Sequence, residues 1–175
     1  VTYAGQLADL NTDPLRALLI KGLLEGVTAT QVTMVNASLL ARDRGLHLVE
    51  TKTSEAEHYA SMISVRFRDN GRARHLCGTT IGGRPHIVRM DQFRIEFVLD
   101  GYQLLIYHQD RPGLIGRVGD ITGQADINIA FMGVGRLEPR GEALMVLTLD
   151  EYVPEEVRAE IQSIPDVYEI RLLEL

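Results

Sequence analysis

The chain has 175 residues, 45% of them apolar and 24% charged, with a formal net charge of −6 and a single cysteine, Cys77. That composition predicts an ordinary globular protein rather than disorder, and one cysteine leaves no internal disulfide and no thiolate cluster for zinc or iron–sulfur. No apolar run is long enough to cross a membrane as a helix, VTYAGQLADLN does not read as a signal peptide, and the negative balance argues against nucleic acid as a partner.

The charge is unevenly spread. Residues 1–101 carry 12 Lys+Arg against 11 Asp+Glu, whereas residues 102–175 carry 6 against 13. The change falls at Asp100-Gly101, a turn-like pair between two apolar strand patterns, and it predicts a domain boundary there. A start at Val1 rather than Met predicts a piece of a longer protein. The lone cysteine and missing leader fit a reducing cytoplasm.

In chain order, VTYAGQLA predicts a short strand. Asn11-Thr12-Asp13-Pro14 signals a helix start, and Leu15, Leu18, Leu19 and Leu23 continue it to about Glu25, with Gly26 as the stop. VNASLLARDRG predicts a short helix ending at Gly45, and LHLVETKTS a strand or extended segment. In MISVRFRD the period becomes two, with Ile63, Val65 and Phe67 on one side and Ser64, Arg66 and Arg68 on the other. Asn70-Gly71 predicts a tight turn, RARHLCGTTIGG a return strand bending at Gly82-Gly83, and HIVRM with FRIEFVLDG a further pair around Asp91-Gln92. The first part is therefore α+β with an antiparallel sheet.

The second part is cleaner. YQLLIYH predicts a strand, GLIGRVGDITGQ a helix, INIAFMGVG and EALMVLTLD strands joined by the turn Leu137-Glu138-Pro139-Arg140-Gly141, PEEVRAEIQSI a helix, and VYEIRLLEL a last strand. The order is βαββαβ, a ferredoxin-like arrangement. Gly113, Gly116 and Gly119 recur every third residue. They do not follow G-x-G-x-x-G, and close helix–sheet packing is the expectation for them. No P-loop, H-E-x-x-H or G-x-S-x-G occurs. His47, His58, His75, His86 and His108 show no metal spacing, so neither a metal site nor a catalytic residue is assigned. Asn36-Ala37-Ser38 matches a glycosylation sequon and reads as incidental.

Two places gather polar groups. At the strand-to-helix turn, His108 and Asp110 precede Pro112-Gly113, and Asn128 follows the helix. A free amino acid needs N–H donors for its carboxylate and oxygen acceptors for its ammonium. The helix start offers donors at Gly113 and Leu114, Asp110 an acceptor, and Asn128 both. The competing reading makes Asp110 a helix cap and Asn128 a turn residue. Upstream, Arg66, Arg68, Arg72, Arg74, Arg84, Arg89 and Arg94 crowd one β-rich stretch. They fit either a solvated sheet face or a site for a phosphate or carboxylate ligand.

Residues 102–175, with HQDRPGL followed by DINI, resemble an ACT domain, a small-molecule sensor, and look most like the one in the phosphoglycerate dehydrogenase family. Residues 1–101, with VNASLLARDRGL and GGRPHIVRMDQFRIEFVLDG, look like that family's intervening domain. The resemblance implies two α+β domains, 1–101 and 102–175, forming a regulatory part. It implies L-serine bound between two ACT domains at the positions of His108, Asp110 and Asn128, and an anionic effector, phosphate or phosphorylated substrate, on the first domain, for which Arg84, Arg89 and Arg94 are the candidates. It implies a homo-oligomer through the ACT domains, and NAD only in catalytic domains outside this chain. The regulatory part of an L-serine dehydratase and a free-standing ACT sensor of another amino acid are the rival readings.

Overall fold

A computed structural model of the protein describes residues 1–28, 30–69 and 71–175, with no side-chain description for Asp69 and Arg72. The chain divides into two compact units, Val1–Val65 and Arg66–Leu175.

In the first unit, β1 (Thr2–Gly5) pairs in parallel with β2 (Thr51–Thr53) and antiparallel with the start of β3 (Ser61–Asp69). The expected first strand thus stops at Gly5 and turns into a 3₁₀ segment, Gln6–Asp9. Gly5 holds a left-handed φ of 67° with the Ala60 backbone where a Cβ would lie, so no other residue fits there. Helix α1 (Asp13–Leu24) carries its proline in the first turn, and Asn11 Oδ1 accepts from the Asp13 N–H at 3.0 Å. Thr33 and Asn36 bond reciprocally, side chain to backbone, just before α2 (Ala37–Asp43). The sequon asparagine is therefore tied into the turn that leads into α2. Ile20, Leu24, Val32, Ala37 and Ala41 form the core between these helices. Tyr3 is buried and donates its hydroxyl to Glu50 at 3.0 Å, and Glu50 is ion-paired with Arg16. Burial, then that bond, push the Tyr3 phenol up to about 12.

The alternation expected along β3 holds only in part. Met62 and Ser64 are buried while Arg66 and Arg68, on the same side, are exposed. The turn expected at Asn70-Gly71 falls partly on Asn70, outside the described residues; Gly71 has φ 82°.

In the second unit, β4 (Arg72–Ile81), β5 (Arg84–Met90) and β6 (Phe93–Val98) form an antiparallel ladder, turning at Gly82-Gly83 and Asp91, all at positive φ. Then come β7 (Tyr102–Gln109), α3 (Leu114–Gln124), β8 (Ile129–Arg136), β9 (Glu142–Leu149), α4 (Glu155–Gln162) and β10 (Val167–Glu174). Their strands lie in the order β10-β7-β9-β8, all antiparallel, which is the ferredoxin-like βαββαβ sheet. The fold class is α+β throughout.

Both faces of this sheet are covered. Leu104, Ile106, Met145, Leu147 and Leu149 pack with Leu114, Val118, Val157 and Ile161 of the two helices. Leu105, Leu144 and Val146 pack on Met90, Phe93, Ile95 and Phe97 of the β5–β6 hairpin. Central strands buried on both sides read as continuous apolar runs, which is why YQLLIYH and ALMVLTL hardly alternate. At Gly135 the β6 backbone approaches β8 so closely that a Cβ would sit 2.6 Å from Arg94 O.

The helix glycines do not mark close packing on the sheet. A Cβ at Gly113, Gly116 or Gly119 meets nothing within 4 Å. Leu114, Val118 and Thr122, at spacing i, i+4, i+8, form the buried face of α3 and leave the glycines on the open arc.

Candidate functional site

The strand-to-helix turn is held by a hairpin remote in sequence. The Asp110 N–H donates to Gly141 O at 2.8 Å, and the Gln109 amide donates to Arg140 O. Asp110 Oδ2 accepts from the Arg140 N–H and from Arg136 Nη1, each at 3.1 Å. These bonds, the Arg140 N–H first and the Arg136 guanidinium second, hold the Asp110 carboxyl below its ordinary value of 3.8. Asp110 is thus not the cap of α3: Gly113 occupies that position in a left-handed conformation, with no side-chain cap. Arg136 and Arg140 were not selected from sequence. The only pointer to them was the turn Glu138-Pro139-Arg140-Gly141, and nothing local says which strand end that turn will meet.

Several polar atoms at the turn remain open among the described residues. Asp110 Oδ1 has no protein donor. The Leu114 N–H, expected as a free donor, makes a 3.4 Å turn bond to Arg111 O, whereas the N–H groups of Gly113, Ile115 and Gly116 have no acceptor. His108 is 2% exposed, and its Nδ1 lies 2.9 Å from Gln109 O. A carbonyl only accepts, so in the neutral imidazole this partner places the proton on Nδ1 and leaves Nε2 a lone pair. That Nε2 is buried with no hydrogen-bond partner. A shallow pocket of about 380 Å³ opens over Asp110, Gly113, Ile115, Arg136 and Arg140.

Asn128 is not at this place. Register puts His108, Ala143 and Arg136 in one row across β7, β9 and β8, and puts Tyr102, Leu149 and Ile129 in the row at the other end. The rows are six residues apart along β9, roughly 20 Å at about 3.3 Å per residue. There Asn128 Nδ2 donates to Asp150 Oδ2 at 2.6 Å, and its backbone N–H donates to Glu151 at 2.7 Å. Within one chain, Asp110 and Gly113 share this pocket, His108 does not line it, and Asn128 stands apart.

Of the three candidate anion-binding arginines, Arg89 and Arg94 face each other across the β5–β6 pair. Arg84 lies at the other end of β5, roughly 17 Å away by strand rise, and is ion-paired with Asp100 at 3.0 Å. Among the described residues, no group of His, Cys, Asp and Glu could hold a metal ion. No helix among them is long and apolar enough to cross a membrane.

Comparison with known proteins matches two family models along the chain. A family model described as the D-3-phosphoglycerate dehydrogenase intervening domain matches residues 1–91, and one described as the ACT domain matches residues 102–166. The D-3-phosphoglycerate dehydrogenase of Methanocaldococcus jannaschii is 38% identical over 99% of this chain and 33% of its own length. That of Archaeoglobus fulgidus is 36% identical over 100% of this chain and 34% of its length, and that of Bacillus subtilis 36% over 100% and 34%. The chain therefore spans about a third of these curated relatives. It belongs to the D-3-phosphoglycerate dehydrogenase family, as the regulatory portion in which an intervening domain is followed by an ACT domain.

Proposed function

We propose that this chain binds L-serine at the β7–α3 turn and thereby exerts feedback control on D-3-phosphoglycerate dehydrogenase. The observation that carries the reading is the buried, unpartnered Nε2 of His108 on β7, two residues before a turn that holds an open carboxylate oxygen and open helix-start N–H groups. Serine supplies the complement of each. Its carboxylate accepts from the Ile115 and Gly116 N–H groups, where the helix dipole favours negative charge. Its ammonium donates to Asp110 Oδ1 and its hydroxyl to His108 Nε2. Micromolar affinity needs about 8 kcal/mol, which three or four charge-assisted bonds at about 1.5–3 kcal/mol each supply.

Asn128 joins such a site only from a second copy of the chain. In a two-fold dimer each copy gives its turn to one site and its Asn128 to the other. The edge strands β8 and β10 are where such copies add to the sheet. In this reading the enzyme is cytoplasmic, and oxidation of 3-phosphoglycerate with NAD belongs to the portion of the relatives that this chain does not span. A second reading is a small anionic effector, phosphate or phosphorylated substrate, held at Arg89 and Arg94, which face each other on β5 and β6 and carry guanidinium groups that match an oxyanion.

Calorimetry against all standard amino acids tests the main reading. Heat with serine that disappears in Asn128→Ala, with the melting transition nearly unchanged, is the expected result. Heat with another amino acid and none with serine would end it. Sedimentation equilibrium with and without serine tests the pairing, and a monomer under both conditions refutes it.

A further inference from the structure

Beyond the turn, the second unit contains an open cleft of about 780 Å³, within the range of about 300–1,000 Å³ in which organic ligands are held. Its wall includes Phe67, Phe93, Tyr107 and Tyr168, and its cations are Arg66, Arg68 and Arg74. We infer that this cleft is a ligand site for an aromatic organic anion, a flat ring bearing a phosphate or carboxylate.

The polar floor is already built. Arg74 is ion-paired with Asp91 at 3.2 Å, the two side chains 15% and 18% exposed. The same guanidinium donates to the Tyr107 hydroxyl at 3.2 Å and stands 6.0 Å from the centre of its ring. Phe93 meets Tyr107 edge to face at 6.2 Å. This arrangement fixes an aromatic surface at the base of the cleft, suited to a ring laid against it.

The acids around the cleft are engaged: Asp91 by Arg74, Glu142 by the Gln92 amide at 2.9 Å, and Glu169 by Arg171 at 2.5 Å. Arg66 and Arg68 differ. They stand two apart on one side of β3, both exposed, and among the described residues neither has an acidic partner. Two guanidinium groups at strand spacing beside an aromatic wall match an anion carried at one end of a ring. The ring accounts for the aromatic lining and the charge for the free arginines.

Four probes separate the two halves of that claim: AMP and 2-naphthoate, each a ring with an anion; adenosine, a ring alone; and inorganic phosphate, an anion alone. In calorimetric titration of the whole chain, at least one ring anion binds at least about tenfold more tightly than adenosine and phosphate. The double variant Arg66→Ala/Arg68→Ala weakens that binding at least about tenfold and leaves the melting temperature within experimental error. AMP alone binding assigns a phosphate head, 2-naphthoate alone a carboxylate head, and either result upholds the site. Equal binding of the ring anions and their halves, or wild-type affinity in the double variant, overturns it. Serine titration is a separate experiment, so failure at the turn and failure in the cleft are told apart.

Discussion

Gly135→Ala is the sharpest test of the packing that places β7 between two layers. Its Cβ would lie 2.6 Å from Arg94 O, 3.2 Å from Ile95 Cβ and 3.3 Å from Arg94 C. Ordinary contact begins at 3.4 Å, so β6 and β8 must separate locally by up to about 0.8 Å. A radial gap of about 0.5–1 Å forfeits a quarter to a half of each dispersion contact it opens. The contacts at stake are those of Ile95, Phe93 and Phe97 with Leu144 and Val146. Overpacking of this kind costs about 1–3 kcal/mol. At about 4 °C per kcal/mol for a unit of this size, the melting temperature falls by roughly 4–12 °C. Differential scanning calorimetry reads it directly. A Gly135→Ala transition within 1 °C of wild type would refute the close approach of β6 to β8.

Gly119→Ala moves the other way. Its Cβ points into open space within α3, and alanine should raise stability by about 0.5–1 kcal/mol in urea unfolding. Asp110→Asn should remove an acid dependence. The wild-type contribution is fully present above the unfolded value near 3.8 and is lost as pH falls through the depressed folded value, so thermal melts below pH 4 should separate the two proteins less than melts at pH 6. The Tyr3 phenol should titrate near 12 by phenolate absorbance. Its contribution is present below the unfolded value of 10 and is lost as pH rises through about 12, so Tyr3→Phe should flatten stability in that window.

The periodic elements were the legible ones. The βαββαβ string of residues 102–175 follows from alternation, turn chemistry and one helical stripe, and the hairpin turns at Gly82-Gly83 and Asp91 carry residues that tolerate positive φ. The candidate site was legible where it is local: Asp110 and Gly113, three residues apart, line one pocket. It was not legible where it depends on register. Arg136 and Arg140 meet Asp110 from the hairpin tip between β8 and β9, and Asn128 lands a strand length away because β8 runs antiparallel to β9. The glycines of α3 misled because a helical period shows that residues share an arc, not whether that arc meets the sheet. Likewise the arginine-rich stretch gave no sign that Arg66 and Arg68 have no acidic partner among the described residues while Arg74 is tied to Asp91 and Arg84 to Asp100.

Tyr107 and His108 are consecutive on β7, so strand alternation turns one toward the β5–β6 layer and the other toward the helices. Both line the arginine cleft, and His108 also stands two residues before Asp110 of the proposed serine turn, so a single peptide unit joins the two places. A displacement of this segment of β7 by an occupant on either side is therefore a displacement of both pockets. For the two proposed ligands, thermodynamic reciprocity then fixes the relation: the factor by which a ring anion changes serine affinity is the factor by which serine changes the affinity of the ring anion. Two titrations run in opposite order must close the same cycle.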